Sequence, residues 1–232
     1  MTFRLSEIDA LRGLAVLLMM FYHFLFDVYL FWGTDWDFDS FPILFFARMG
    51  QGLFLSLVGV SIFLSSRGFY EQFKRGIRIF FCGLLITLIS WVLFPGDYVR
   101  FGVLHFIGVS IPIVVLLKSR PWLALVFAPL FYFLGFYLRT LTVEGPWGIP
   151  FGLLPSSFSS LDYFPLFPWL AAPFLGLWMG SVFYKERKPT RLVFLARIPA
   201  LVSLGRHSLA IYLLHLPVLY FTVWGLFYLI EL

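Results

Sequence analysis

Seven stretches of this chain are apolar for long enough to cross a lipid bilayer, which leaves little room for a water-soluble fold. They lie near residues 9–31, 42–66, 76–94, 101–117, 121–138, 166–184 and 208–230. A spanning helix needs about 20 apolar residues, because the hydrocarbon core is about 30 Å thick and each residue rises about 1.5 Å. The fourth and fifth runs sit at the short end of that range. Of the 232 residues, 61% are hydrophobic and only 12% are charged, against about 25% charged in a soluble domain. The expected fold is all-α: a polytopic transmembrane helix bundle of about seven spans, forming one domain over residues 1–232. The first run contains charges and lacks a small-residue cleavage site, so it is expected to remain as a helix rather than leave as a signal peptide.

Lysine and arginine orient the bundle. With the N-terminus inside, cytoplasmic segments hold 13 of the 17 basic residues, and the outer segments hold only Arg48, Arg100 and Arg139. Arg12 lies within the first helix. Asp35, Asp37 and Asp39 make the first outer loop acidic. This bias predicts a cytoplasmic N-terminus and an outer C-terminus. It accounts for the net charge of +5 without nucleic acid. One cysteine, Cys82, allows neither an intramolecular disulfide nor a thiolate metal cluster.

Two connections stand out. Residues 139–165 form a long outer segment containing "VEGPWGIPFGLLPSSFSS", whose apolar content suggests a lid or re-entrant segment rather than a floppy linker. Residues 185–207 form a basic inner segment, expected to be solvated over Lys185–Arg191 and to lie along the headgroups over "RIPALVSLGRHS". Small residues at four-residue spacing (Ala172, Gly176, Gly180) and the set Gly52, Ser56, Gly59 predict close helix packing in lipid.

The informative residues are the polar ones inside apolar runs. In "EIDALRGLAVLLMMFYHFLFD", Arg12 and His23 are eleven residues apart. That is three helical turns and about 16 Å along the axis, so both lie on one face. Asp27 is one turn beyond His23, and Asp9 one turn before Arg12. A central charge facing lipid costs roughly 2.5–3.5 kcal/mol, so this stripe should face protein or a wet cavity. Asp9 and Arg12 read equally well as an edge pair snorkelling to water. His23 with an acid one turn away reads as an imidazole whose tautomer the acid fixes. Arg48, His105 and His215 are placed at comparable depths on other helices. No two histidines have the i,i+4 spacing of a metal site on one helix, and no metal is expected.

Five blocks now carry a family resemblance. In order, "IDALRGLAVLLMMFYHFLFD", "FFARMGQGLFLSLVGVSIFLS", "FGVLHFIGVS", "FPLFPWLAAPFLGLWMGSV" and "LGRHSLAIYLLHLPVL" resemble the catalytic domain of the heparan-alpha-glucosaminide N-acetyltransferase family. The spacing of Arg12 and His23 is also similar to that of the broader acyltransferase-3 group. The resemblance implies an integral-membrane acyltransferase. It would move acetyl from cytosolic acetyl-CoA, the donor substrate, to an amine or hydroxyl of an extracytoplasmic or envelope sugar. It implies His23, Asp27 and His105 as the catalytic set and Arg12, Arg48 and His215 as the donor-binding set. Within that scheme His23 acts as general base, His215 is a second candidate base, and His105 and Arg48 are alternatives for holding the acceptor or the oxyanion. The expected setting is a multi-pass protein of the plasma membrane. Its partners would be acetyl-CoA, a sugar or glycan acceptor and the bilayer, with homodimerisation left open. Buried Arg, His and Asp also mark proton paths, so a proton-coupled small-molecule transporter or channel is the alternative.

Overall fold

A computed structural model describes residues 4–231. Among these described residues nine α-helices follow one another: α1 Ser6–Trp32, α2 Phe41–Leu64, α3 Phe69–Leu93, α4 Val103–Leu116, α5 Pro121–Leu138, α6 Leu166–Trp169, α7 Ala171–Phe183, α8 Pro199–Arg206 and α9 Ser208–Glu231. The β pairings among the described residues are two isolated bridges. Six stretches are long and apolar enough to span a membrane, with Leu166–Phe183 counted as one, and α4 is a shorter apolar helix. The protein is an all-α polytopic bundle, as the apolar runs predict.

Two boundaries differ from expectation for physical reasons. α3 begins at Phe69 rather than near residue 76, because helical hydrogen bonding continues past the lipid edge. There Phe69 and Phe73 stack at 6.2 Å and Lys74 sits over the Tyr70 ring. The sixth span is two helices. Phe167 has non-helical backbone angles (φ −108°, ψ 127°) and Pro168 follows it, so the chain enters the membrane as one turn and restarts at Ala171.

The contacts divide the described residues into two compact units, Leu55–Lys188 and Arg4–Phe54 with residues 189–231. α2 contributes its first half to the second unit and its second half to the first.

In the Leu55–Lys188 unit, small residues set the packing. A side chain on Gly59 would run into the Pro173 carbonyl and the Leu177 amide, and one on Gly176 into the Ser56 carbonyl. α2 and α7 therefore meet backbone to backbone, as the glycine spacing predicts. Gly52 is different: nothing lies within 4 Å of a Cβ placed there. α3 and α4 cross at Gly76 and Gly108 in the same way. Nearly all of Val103–Ser110 is buried, whereas α3 turns Phe81, Leu85, Leu88 and Trp91 outward. A helix sheathed in protein need not match the hydrocarbon thickness, which is how the 14 residues of α4, about 21 Å long, suffice.

The 139–165 segment belongs to this unit and is pinned rather than loose. It holds a 3₁₀ helix, Pro146–Phe151, and the Tyr163 hydroxyl donates to the Ile149 carbonyl at 2.7 Å. Burial raises the Tyr163 phenol above its usual range. The segment then pairs with residues 97–101 through Leu161 N–H to Asp97 O (2.7 Å) and Phe164 N–H to Phe101 O (2.9 Å). Asp162 accepts the Val103 N–H at 2.9 Å, satisfying one of the donors that a helix N-terminus leaves without a partner.

The other unit is built around α1. Residues 191–206 pack against the first helix. A 3₁₀ helix, Arg191–Arg197, and α8 dock on the first half of α1. Ala10, Leu201 and Val202 form the seam. A Cβ on Gly13 would meet the Leu201 backbone and one on Gly205 the Asp9 backbone, so two glycines permit the close approach of α8 to α1, while Lys185, Arg187, Lys188 and Arg191 stay exposed as expected. The buried Glu7 carboxylate accepts the Thr190 N–H with both oxygens, each at 3.0 Å, which ties the start of this segment to the first turn of α1.

Candidate active site along the first helix

α1 has 27 residues and is about 40 Å long. It outreaches the hydrocarbon core, so it carries polar groups at its N-terminal end and at mid-length. Gly33 ends it in the left-handed conformation (φ 60°), its N–H returning to the Tyr29 carbonyl, as a glycine C-cap does.

At the N-terminal end one buried carboxylate gathers three arginines. Asp9 is 2% exposed. It accepts from Arg4 Nε at 2.6 Å and Nη2 at 3.1 Å and from Arg12 Nη1 at 3.0 Å, while Arg206 Nε lies 3.6 Å away. The hydrogen bond to Asp9 raises the Arg4 guanidinium above its already high range, against the effect of burial. Arg12 is the most enclosed of the three. Sequence spacing predicts the Asp9–Arg12 pair. Arg4 and Arg206 read as loop charges from sequence, and only the docking of α8 brings Arg206 to Asp9. Three guanidiniums held on one carboxylate form a cationic cluster, a chemistry suited to phosphate.

At mid-length His23 meets a second histidine. The His23 and His215 ring centroids are 4.9 Å apart at 65°, α1 against α9. His215 is 4% exposed. His23 Nδ1 lies 2.9 Å from the Met19 carbonyl, and His215 Nδ1 lies 2.8 Å from the Tyr212 carbonyl. A carbonyl only accepts, so both Nδ1 atoms carry hydrogen and each Nε2 is the lone-pair nitrogen. His215 Nε2 is buried without a partner. Sequence spacing gives no hint of this pairing, because the two residues are far apart along the chain, on the first and last spans.

Asp27 does not hold the His23 ring, which corrects the expectation drawn from their spacing. Helical side chains lean toward the N-terminus. The imidazole instead folds back over the preceding turn, where its Nδ1–H is held by the Met19 carbonyl. Asp27 is 7% exposed and its Oδ2 is buried without a partner. Phe38 packs on the same stretch of α1, with ring contacts of 5.4–5.7 Å to Tyr22, Phe26 and Tyr29. Beyond it an open groove of about 610 Å³ is lined by Tyr29, Thr34, Asp35, Trp36 and Asp37 among others.

The remaining candidates lie elsewhere. Arg48 is near the start of α2, in the same unit, and donates to Gln51 at 3.2 Å. His105 is in the other unit, in the first turn of α4 and 2% exposed. Its Nδ1 accepts the Gly102 N–H at 3.2 Å, so its Nε2 carries the hydrogen and points to Thr87 Oγ1 at 3.3 Å. Thr87 in turn donates to the Val99 carbonyl at 2.7 Å. Both ring nitrogens are thus engaged in closing the α4 N-terminus, a structural duty that no spacing in the sequence announces. Among the described residues no group of three or more His, Cys, Asp or Glu side chains could hold a metal ion.

No curated protein and no solved structure matches the chain at a significant level. The family described as "Heparan-alpha-glucosaminide N-acetyltransferase, catalytic" matches residues 4–217. That span takes in the arginine cluster, both facing histidines and every span up to the first turns of α9. This polytopic chain therefore belongs to the heparan-alpha-glucosaminide N-acetyltransferase catalytic family and is a membrane acetyltransferase.

Proposed function

We propose that the protein transfers acetyl from cytosolic acetyl-CoA to an amine or hydroxyl of a sugar on the outer side of the membrane. The observation that carries this reading is that one helix bears both parts of the chemistry. The Asp9 arginine cluster lies at its N-terminal end, the end the charge bias assigns to the cytosol, and the His23–His215 pair about 16 Å further along. Arg12, with Arg4 and Arg206 beside it, receives the phosphates of CoA. The pantetheine arm then runs along the polar face of α1 toward mid-depth. There His23, fixed by the Met19 carbonyl, removes the proton from the acceptor as general base. The open groove beyond α1, with Trp36, Tyr29, Asp35 and Asp37, is where the sugar enters. His105 has no part in this scheme, because its ring nitrogens are engaged.

The test is ligand-induced stabilisation of purified protein in nanodiscs. A ligand that binds only the folded state at 100 times its Kd adds about 2.7 kcal/mol, so saturating acetyl-CoA raises the unfolding temperature and Arg12→Ala weakens the effect. No shift with wild-type protein at saturation removes the reading.

A further inference from the structure

We infer that Arg100 seats the phosphate of an outer-leaflet phospholipid and so ties the 139–165 segment to the bilayer surface. The inference stands apart from acetyl transfer. Arg100 is one of the three basic residues that the charge bias leaves outside, and the scheme above gives it no task.

Arg100 is held in place by its surroundings. Its backbone N–H donates to Ser160 Oγ at 3.3 Å. Its guanidinium carbon lies over the Tyr98 ring at 4.9 Å and over the Phe158 ring at 5.4 Å. Phe158 packs in turn on Tyr163, with centroids 4.7 Å apart. Stacking on aromatic faces engages the flat of a guanidinium and leaves its edge, where the N–H groups point, for an oxyanion. That edge is nearly unused. Nε is buried without an acceptor, a state that in native proteins calls for an explanation. Nη2 reaches the Gly96 carbonyl only at 3.5 Å, past the usual limit of about 3.2 Å. Two carboxylates belong to the same cluster, and both are engaged elsewhere. Asp97 accepts from the Ser159 hydroxyl and Asp162 from the Val103 N–H. Among the described residues Arg100 forms no ion pair.

Position along α3 names the ligand. The helix has 25 residues and is about 37 Å long, enough for its C-terminal end to clear the hydrocarbon. Its last turn exposes Trp91, Val92, Leu93 and Phe94, an apolar wall for acyl chains with a tryptophan at the level of the interface. The Asp97 N–H returns to the Phe94 carbonyl at 3.1 Å, so Gly96 lies within one tight turn of that wall. The Arg100 fork, beside the Gly96 carbonyl, therefore stands just beyond the acyl-chain region. The oxyanion at that depth is the phospholipid phosphate, whose oxygens an arginine fork can accept in pairs. Basic pockets at a membrane surface hold lipid head groups in this way. A soluble anion would gain nothing from the apolar wall. Phe158 and Ser160 lie in the 139–165 segment, so a phosphate on Arg100 fixes that segment against the surface as well.

The experiment uses the full chain in dodecyl maltoside, a detergent without phosphate, and two photoactivatable probes. One is phosphatidylglycerol with a diazirine in an acyl chain. The other is a diacylglycerol with the same chain and no phosphate. After irradiation, peptide mass spectrometry maps the cross-links. The phospholipid marks residues 91–98 at least about tenfold more strongly than the diacylglycerol, as a hydrogen bond to a charged group implies. In Arg100→Gln the phospholipid concentration that half-saturates this labelling rises by about tenfold or more. A large excess of inorganic phosphate leaves the labelling unchanged. Equal labelling by the two probes, labelling confined to other segments, or an Arg100→Gln protein indistinguishable from wild type overturns the proposal. Competition by inorganic phosphate makes the site one for a soluble anion and overturns the lipid. Where Arg100→Gln shows no cooperative thermal unfolding, the two probes on wild type decide alone, a ratio under about threefold overturning the proposal. No acetyl-CoA is present, so the outcome is independent of whether the protein acetylates a sugar.

Discussion

Gly59 and Gly52 lie two turns apart on α2 and look alike in sequence, yet the structure assigns them opposite responses to alanine. At Gly59 an added methyl meets the carbonyl of Pro173 and the amide of Leu177 at less than 3.0 Å. These are backbone atoms of α7 and cannot swing aside, so α2 and α7 must part along a seam that Gly176 and Ser56 also share. Overpacking of this kind costs about 1–3 kcal/mol. Exchanging glycine for alanine in a helix returns up to about 1 kcal/mol. The net expectation for Gly59→Ala is a loss of about 1–2 kcal/mol. At Gly52 no atom lies within 4 Å, and only the helical gain remains, 0 to about 1 kcal/mol. The two variants should differ by about 2 kcal/mol, roughly thirtyfold in the unfolding equilibrium. Reversible unfolding in mixed SDS–detergent micelles, followed by tryptophan fluorescence, measures this directly. Equal shifts for the two variants, or a loss at Gly52 as large as at Gly59, would refute the backbone-contact account.

Two further expectations concern the 139–165 segment. Asp162→Ala removes the acceptor for the Val103 N–H and should lower stability by about 0.5–2 kcal/mol, the range for a lost N-cap; an unchanged midpoint in the same unfolding assay would show that the contact contributes nothing. Burial holds the Tyr163 phenol above its ordinary value of 10.0, so above that pH the unfolded chain ionises before the folded one does. The linkage stability is whole below pH 10 and declines as pH climbs toward the folded value. Tyr163→Phe should flatten this alkaline decline while losing about 1 kcal/mol at neutral pH with the Ile149 hydrogen bond, and an identical alkaline slope in the two proteins would dismiss Tyr163 as its source.

The facing histidines show where sequence reasoning stops. Arg12, His23 and Asp27 share a helix, so a period of 3.6 residues is enough to place them on one face. That same period suggests an Asp27–His23 bond, but the Met19 carbonyl takes the His23 Nδ1–H instead. The true partner of His23 Nδ1 is the Met19 carbonyl, a group every residue possesses, and side-chain identity cannot single it out. His105 shows the converse: it matches the family's block order, yet a capping duty at α4 consumes its ring.

Hydropathy alone determined the spans, because lipid exacts one requirement at every residue of a run and that requirement is local. Charge bias likewise gives an expected orientation without coordinates. Which helices touch is a different kind of information. The docking of α8 on α1, the arrival of Arg206 at Asp9 and the meeting of His23 with His215 all depend on shape at glycines and on contacts between distant parts of the chain. Lipid is indifferent among apolar helices, so hydrophobicity does not choose partners. That choice is made by close packing and polar satisfaction, which exist only once the helices are assembled.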